Sequence, residues 1–207
     1  FFFKQKTAYE IKECDWSSDV CSSDLSRLVQ EDLCLMQRAA SGWRLAAASL
    51  CFASGWSLAE KVGGDLSAIH APVPGFSGRM ESVVTRIFDS LRDEAPLERF
   101  NWSIYGDGRL DRAPDVAPNR FDADLAEANI RVERQTLRRL PRTGGVLFTI
   151  RIHTDPIAHF LAHPRGRALA AGLRAQLLAL SDEQARYKGL ADVREKIAAR
   201  LAAIASA

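Results

Sequence analysis

Residues 130–140 (IRVERQTLRRL) and 146–153 (VLFTIRIH) stand on either side of Pro141-Arg142-Thr143-Gly144-Gly145. Both runs carry β-branched residues, and the five-residue connection ends in a glycine pair suited to a tight reversal. This predicts a β-hairpin, which commits the chain to an antiparallel sheet. Alternation puts Arg131, Glu133, Gln135 and Arg139 on one face of the first arm. Val132, Arg134, Thr136 and Arg138 fall on the other. Charge on both faces marks either a solvated edge strand or a pocket wall. In a pocket, arginine would pair with ligand carboxylates and Glu133 would receive a cationic amine.

The other elements are arranged around that hairpin. Residues 33–36 form a short apolar piece read as a strand, and 43–52 (WRLAAASLCF) a second, bounded by Ser41-Gly42 and Ser54-Gly55. Residues 57–62 fit a short helix with Ser57 as N-cap, stopped by Gly63-Gly64. Residues 70–78 (HAPVPGFSG) read as a loop, because two prolines and two glycines interrupt any period. Val83, Ile87, Phe88 and Leu91 recur at helical spacing and predict a helix over 79–91. Residues 100–105 (FNWSIY) read as a strand ending at Gly106-Asp107-Gly108, and 111–124 as a loop. Leu169, Leu173, Leu177 and Leu180 mark one terminal helix. Ser181 and Gln184 form a capping box for another, whose apolar line is Val193, Ile197, Leu201 and Ile204. A five-stranded antiparallel sheet with helices between its second and third strands is the PAS-type arrangement. The expected class is therefore α+β, with helices on one face of the sheet and further C-terminal helices.

The first 25 residues do not read like the rest. Translated back into codons, 4–10 (KQKTAYE) and 14–25 (CDWSSDVCSSDL) resemble the two constant stretches of a widely used short-read sequencing adapter. A signal peptide needs a basic start and an unbroken apolar stretch, and this segment has neither. Residues 1–25 are expected to be non-native, with the biological chain starting near Ser26 and truncated at its N-terminus. Setting them aside removes three lysines and five acids and moves the formal net charge from +2 to +4. So mild a charge, with Glu133 set among the arginines, argues against a nucleic-acid partner. No apolar run approaches the roughly 18–20 residues of a membrane span. Cys34 and Cys51 then remain, read as reduced, buried thiols, which points to the cytoplasm.

Most familiar catalytic motifs are missing: there is no GxGxxG, phosphate loop, HExxH or GxSxG. Two cysteines do not supply the ligands of an iron–sulfur cluster. His159 and His163 are four apart, but Pro156 and Pro164 bracket them and no third ligand follows, so they read as a solvated helix face. His70 sits in the stiff apolar stretch IHAPVPG, where an imidazole held against apolar surroundings suits a proximal haem ligand. The plainer alternative is a histidine bracing the loop. His153, at a strand end after Thr149 and Arg151, is the rival ligand.

Six stretches together resemble one family: VQEDLCLM (29–36), AASLCFASGWSLAEKVG (47–63), IHAPVPGF (69–76), FNWSIY (100–105), RVERQTLRRLP (131–141) and LFTIRIHTDP (147–156). Over about residues 28–190 the chain is similar to the haem-dependent oxidative N-demethylase alpha-subunit-like family, formerly a domain of unknown function. The resemblance implies that 26–207 form a single PAS-like haem-binding domain. It also implies haem b and the oxidation of a small secondary amine such as dimethylamine, with release of formaldehyde. Flavin and an iron–sulfur cluster, which the chain has no means to hold, would belong to reductase-type partner subunits, and the isolated fragment would be inactive. For that reaction we read His70 as the iron ligand with His153 as runner-up, and Arg131 and Arg134 as partners of the haem propionates. Glu133 or Tyr105 would orient the amine. The alternative is a non-catalytic PAS-like module that binds haem or a small ligand; a third reading is a structural subunit with an empty pocket.

Overall fold

Strands β1 (Asp32–Ala39), β2 (Gly42–Ser49), β3 (Leu97–Tyr105), β4 (Asn129–Arg139) and β5 (Val146–Pro156) form one antiparallel sheet. Their order is β2-β1-β5-β4-β3. The computed structural model describes residues 28–112 and 119–207; the expectations for 1–25, and those for 113–118 of the loop, lie outside the described residues. Helices α1 (Leu58–Lys61), α2 (Leu66–His70) and α3 (Glu81–Ser90) fall between β2 and β3, as the PAS-type reading requires. Helices α4 (Gly166–Leu178), α5 (Asp182–Tyr187) and α6 (Arg194–Ser206) follow the sheet.

The predicted hairpin is the β4–β5 pair, in register from Arg139 opposite Val146 to Asn129 opposite Pro156. Its turn closes through Leu140 N–H to the Gly145 carbonyl at 2.8 Å. Gly144 takes the left-handed φ of +67° that disfavours a side chain. In β1–β2 the register slips between Leu35 and Met36, so Cys34 faces Ala48 while Met36 faces Leu45. That bulge turns both Leu45 and Ala48 toward the same buried side.

The register sorts the sheet into two faces. Leu137, Val146, Cys34, Met36, Trp43 and Leu45 pack against Leu58, Leu66, Phe76, Phe88 and Leu91 of the α1–α3 side. Arg131, Glu133 and Gln135 continue this same face of β4 toward β3, where apolar residues give way to polar ones. The C-terminal helices build a second core, in which Ala170, Leu173 and Leu177 of α4 meet Ile197, Leu201 and Ile204 of α6 and Ile104 of β3. Leu169, expected on the buried line, is 37 % exposed; Ala170 takes the inward position beside it.

Several local expectations need correction. Residues 70–78 are not a continuous loop: His70 is the last residue of α2, which Asp65 caps by accepting from Ala68 N–H at 2.8 Å. A helix this short carries too few turns to show a period in sequence. Ser57 stands at the N-cap of α1 but its side chain makes no capping bond, whereas the Ser181–Gln184 capping box is fully formed. His159 and His163 sit on and just after a 3-10 turn, Ile157–Ala162. Each uses a ring nitrogen locally, His159 with Asp155 and His163 with Arg165 N–H. Cys34 is a buried free thiol as expected, but Cys51 is disulfide-bonded, contrary to the reading of two reduced thiols. No helix among the described residues is long and apolar enough to cross a membrane.

Candidate functional site

His70 closes α2, and the helix itself orients its ring. Nδ1 lies 2.8 Å from the Leu66 carbonyl one turn earlier. A carbonyl only accepts, so Nδ1 carries the proton and a neutral ring has its lone pair on Nε2. The opposite constraint is the Phe76 ring, stacked on the imidazole with centroids 4.1 Å apart. Burial lowers the His70 pKa below the ordinary imidazole value, against the Leu66 carbonyl, which raises it; the Arg99 and Lys61 charges lower it further. The ring is thus a neutral, oriented donor with one nitrogen uncommitted to the helix.

Across from the helices, the polar end of the same sheet face is built around Glu133. Ser54 Oγ donates to Oε1 at 2.8 Å. Asn101 Nδ2 and Gln135 Nε2 donate to Oε2 at 3.2 and 2.9 Å. Asn101 reaches it because it lies directly opposite Glu133 in the β3–β4 register. Arg131, only 2 % exposed, spends its guanidinium on the preceding loops. Nε donates to Ser54 Oγ at 3.1 Å, one terminal nitrogen to the Leu110 carbonyl at 2.7 Å and the other to the Phe52 carbonyl at 2.6 Å. Since Ser54 Oγ accepts from Arg131, its own proton is directed to Glu133. Burial lowers the Arg131 pKa, and the neighbouring Glu133 opposes that.

The loop carrying Ser54 is held from both sides. Asp32, 1 % exposed at the head of β1, accepts from Cys51 N–H at 2.6 Å and Phe52 N–H at 3.1 Å. Burial raises the Asp32 pKa to about 7, despite those two amides and the Arg131 charge. On the other side, Gly55 N–H donates to the Arg112 carbonyl at 2.8 Å. Two guanidiniums stand near the Tyr105 ring, Arg112 4.3 Å and Arg131 6.0 Å from its centroid.

The structure therefore gathers Arg131, Glu133 and Tyr105 on the face that α1–α3 cover, and sets His70 in α2. It does not bring in the other two sequence candidates. Arg134 lies on the opposite face, exposed and paired with Glu98. His153 is on that opposite face too, register-paired with Val132. Burial lowers its pKa, and the Arg151 and Arg134 charges act in the same direction. Sequence reasoning missed Ser54, Asn101, Asp32 and Lys188. Lys188, just past α5, donates to the Trp102 carbonyl at 2.6 Å and to Asn101 Oδ1 at 3.3 Å, so the C-terminal helices reach the same cluster. The alternating Asn101, Ser103 and Tyr105 within FNWSIY were the available signal for a polar strand face.

The geometry offers an oriented imidazole on the helical side and a fixed, donor-surrounded carboxylate on the sheet side. The clefts lined by Gln37, Arg38 and Arg44 and by Val83, Arg86 and Asp89 involve neither group. The sequence similarity anticipated over 28–190 extends further, through residues the codon reading set aside. The family described as haem-dependent oxidative N-demethylase, alpha subunit-like, matches residues 7–198, and the chain belongs to that family.

Proposed function

We propose that this chain is the haem-binding catalytic subunit of an oxidative N-demethylase that acts on a small secondary amine of the dimethylamine kind and releases formaldehyde. The observation that carries the reading is the His70 ring: Nδ1 is bound to the Leu66 carbonyl, so Nε2 is presented as a lone pair. This is the donor state that a haem-iron ligand needs, with a carbonyl behind it to fix the tautomer. The fit rests on this donor chemistry and on the family's haem dependence. Haem, when bound, supplies the oxygen activation that the family's reaction requires.

The other roles belong to the chain itself. Glu133 accepts hydrogen bonds from Ser54, Asn101 and Gln135, which hold it as an acceptor. A carboxylate so fixed receives the N–H of a protonated amine through its remaining lone pairs. Tyr105, with Arg112 and Arg131 near its ring, borders this position and limits how the amine turns. Arg131 acts from behind, by holding Ser54 and the Phe52 and Leu110 carbonyls in place. The family is alpha-subunit-like, which implies a multi-subunit complex. We assign flavin and iron–sulfur chemistry to reductase-type partners.

The test is an absorption spectrum of the protein reconstituted with haem, followed by formaldehyde release from dimethylamine with a reductase present. A Soret band with formaldehyde release is expected. A Soret band without release, whichever reductase is supplied, would leave a PAS-like haem-binding module, and no band would end the haem reading.

A further inference from the structure

Haem carries two propionate carboxylates on one edge, and a protein that holds it by an imidazole commonly sets cations at that edge. The arginines first read for this task are directed elsewhere: Arg131 ties down the Phe52, Ser54 and Leu110 segment, and Arg134 pairs with Glu98 on the far face. On the face shared with Glu133, Arg112 pairs with Asp107 and Arg139 with Asp93. Arg99 is different. It lies opposite Gln135 in the β3–β4 register, two positions along the strand from Asn101, which puts it on the same face as Glu133. It is exposed, and its guanidinium makes no hydrogen bond or ion pair among the described residues.

Its charge is felt on both sides of the site. The Arg99 charge depresses the pKa of His70 in α2, after burial and against the Leu66 carbonyl, and that of Lys188 beyond α5, after burial and against Glu133. An uncommitted guanidinium therefore stands within electrostatic reach of the oriented imidazole and of the polar cluster. We propose that Arg99 binds a propionate carboxylate of the haem, an inference that rests on the haem reading above. A fork of donors on a strand suits a carboxylate at the solvent edge, since it gives bidentate contact without burying the ion pair.

The experiment titrates the full chain with haem and with haem dimethyl ester, which lacks both carboxylates, and follows the Soret band for wild type, Arg99→Ala and Arg99→Lys. Arg99→Ala should weaken haem binding roughly tenfold, the scale of a lost charge-assisted hydrogen bond. It should leave the dimethyl ester affinity unchanged, and Arg99→Lys should recover part of the loss. Unchanged haem affinity in Arg99→Ala, or an equal loss for both porphyrins, would overturn the assignment. A His70→Ala control separates the two readings. If it alone alters haem binding, haem stays at this site and Arg99 is excluded; if wild type takes up no haem, both readings fall. Thermal unfolding of each variant, expected to match wild type at this exposed position, checks that the fold is kept.

Discussion

The His70 imidazole lies face to face with the Phe76 ring, centroids 4.1 Å apart and planes 10° from parallel. Phe76 is itself buried, at the start of the irregular helical segment Phe76–Met80 that leads into α3. The stack blocks rotation about the imidazole's side-chain bonds, and the Leu66 carbonyl settles which nitrogen holds the proton. Together they orient Nε2 before any ligand arrives, so little entropy remains to be lost on coordination.

His70→Ala should therefore abolish haem retention, measured as the Soret band that survives gel filtration. His153→Ala should only weaken it, because His153 stands on the opposite sheet face, register-paired with Val132. An unchanged spectrum in the His70 variant together with loss in the His153 variant would transfer the ligand assignment to His153.

Glu133→Gln keeps the volume but places an amide where three donors converge on the carboxylate oxygens. One of those donors must then face an NH2 group, so the site loses both its charge and part of its order. Binding of dimethylammonium, followed by calorimetry on the intact chain, should weaken by roughly tenfold or more. Undiminished affinity in this variant would remove Glu133 from amine recognition.

Much of the sheet was legible because its signals are local. Alternation in 130–140, the Pro141–Gly145 connection and the apolar spacing of 79–91 each depend on neighbours in sequence. The α2 helix escaped because it spans little more than a turn and runs into prolines, so His70 looked like a loop residue. In the site, charge on both faces of β4 correctly drew notice to Arg131 and Glu133. What they bind was not legible: Ser54 is 79 residues from Glu133, and only the folded chain brings it there. Asp32 gave no signal at all, as one acid at the head of an apolar strand looks like a boundary residue rather than a buried clamp.

The buried Asp32 makes stability fall as pH rises. Its folded-state pKa, raised to about 7 by burial, lies above the ordinary aspartate value of 3.8. Between those values the folded chain holds a proton that the unfolded chain releases, so the penalty is absent below about pH 4 and complete above about pH 7. The groups facing it are Cys51 and Phe52 N–H, Arg131 and Glu133, and none of the first three favours the proton. Asp32→Asn keeps an oxygen for both amides and has no charge to desolvate. Its stability relative to wild type should therefore be higher at pH 8 than at pH 5, by a difference on the order of a few kcal/mol. Urea unfolding at the two pH values reads this directly, and a relative stability independent of pH would refute it.

Ser54 is the residue through which the loop, the arginine and the carboxylate are joined. Its hydroxyl accepts from Arg131 Nε at 3.1 Å and donates to Glu133 Oε1 at 2.8 Å, while the two charges themselves stand 4.0 Å apart. Ser54→Ala leaves one donor of a buried guanidinium and one acceptor of the carboxylate without this partner. The expected cost is about 1–3 kcal/mol of stability, the range for an unsatisfied buried polar group. Dimethylammonium affinity should fall with it, because Glu133 loses one of the three contacts that aim it. Ser54→Thr keeps the hydroxyl and should restore both properties, which separates the hydrogen-bond relay from simple packing. Because Ser54 acts through Glu133, the double variant Ser54→Ala/Glu133→Gln should lose clearly less amine affinity than the sum of the single losses. Strict additivity in that cycle would show that the two residues act independently and that the relay has no part in binding.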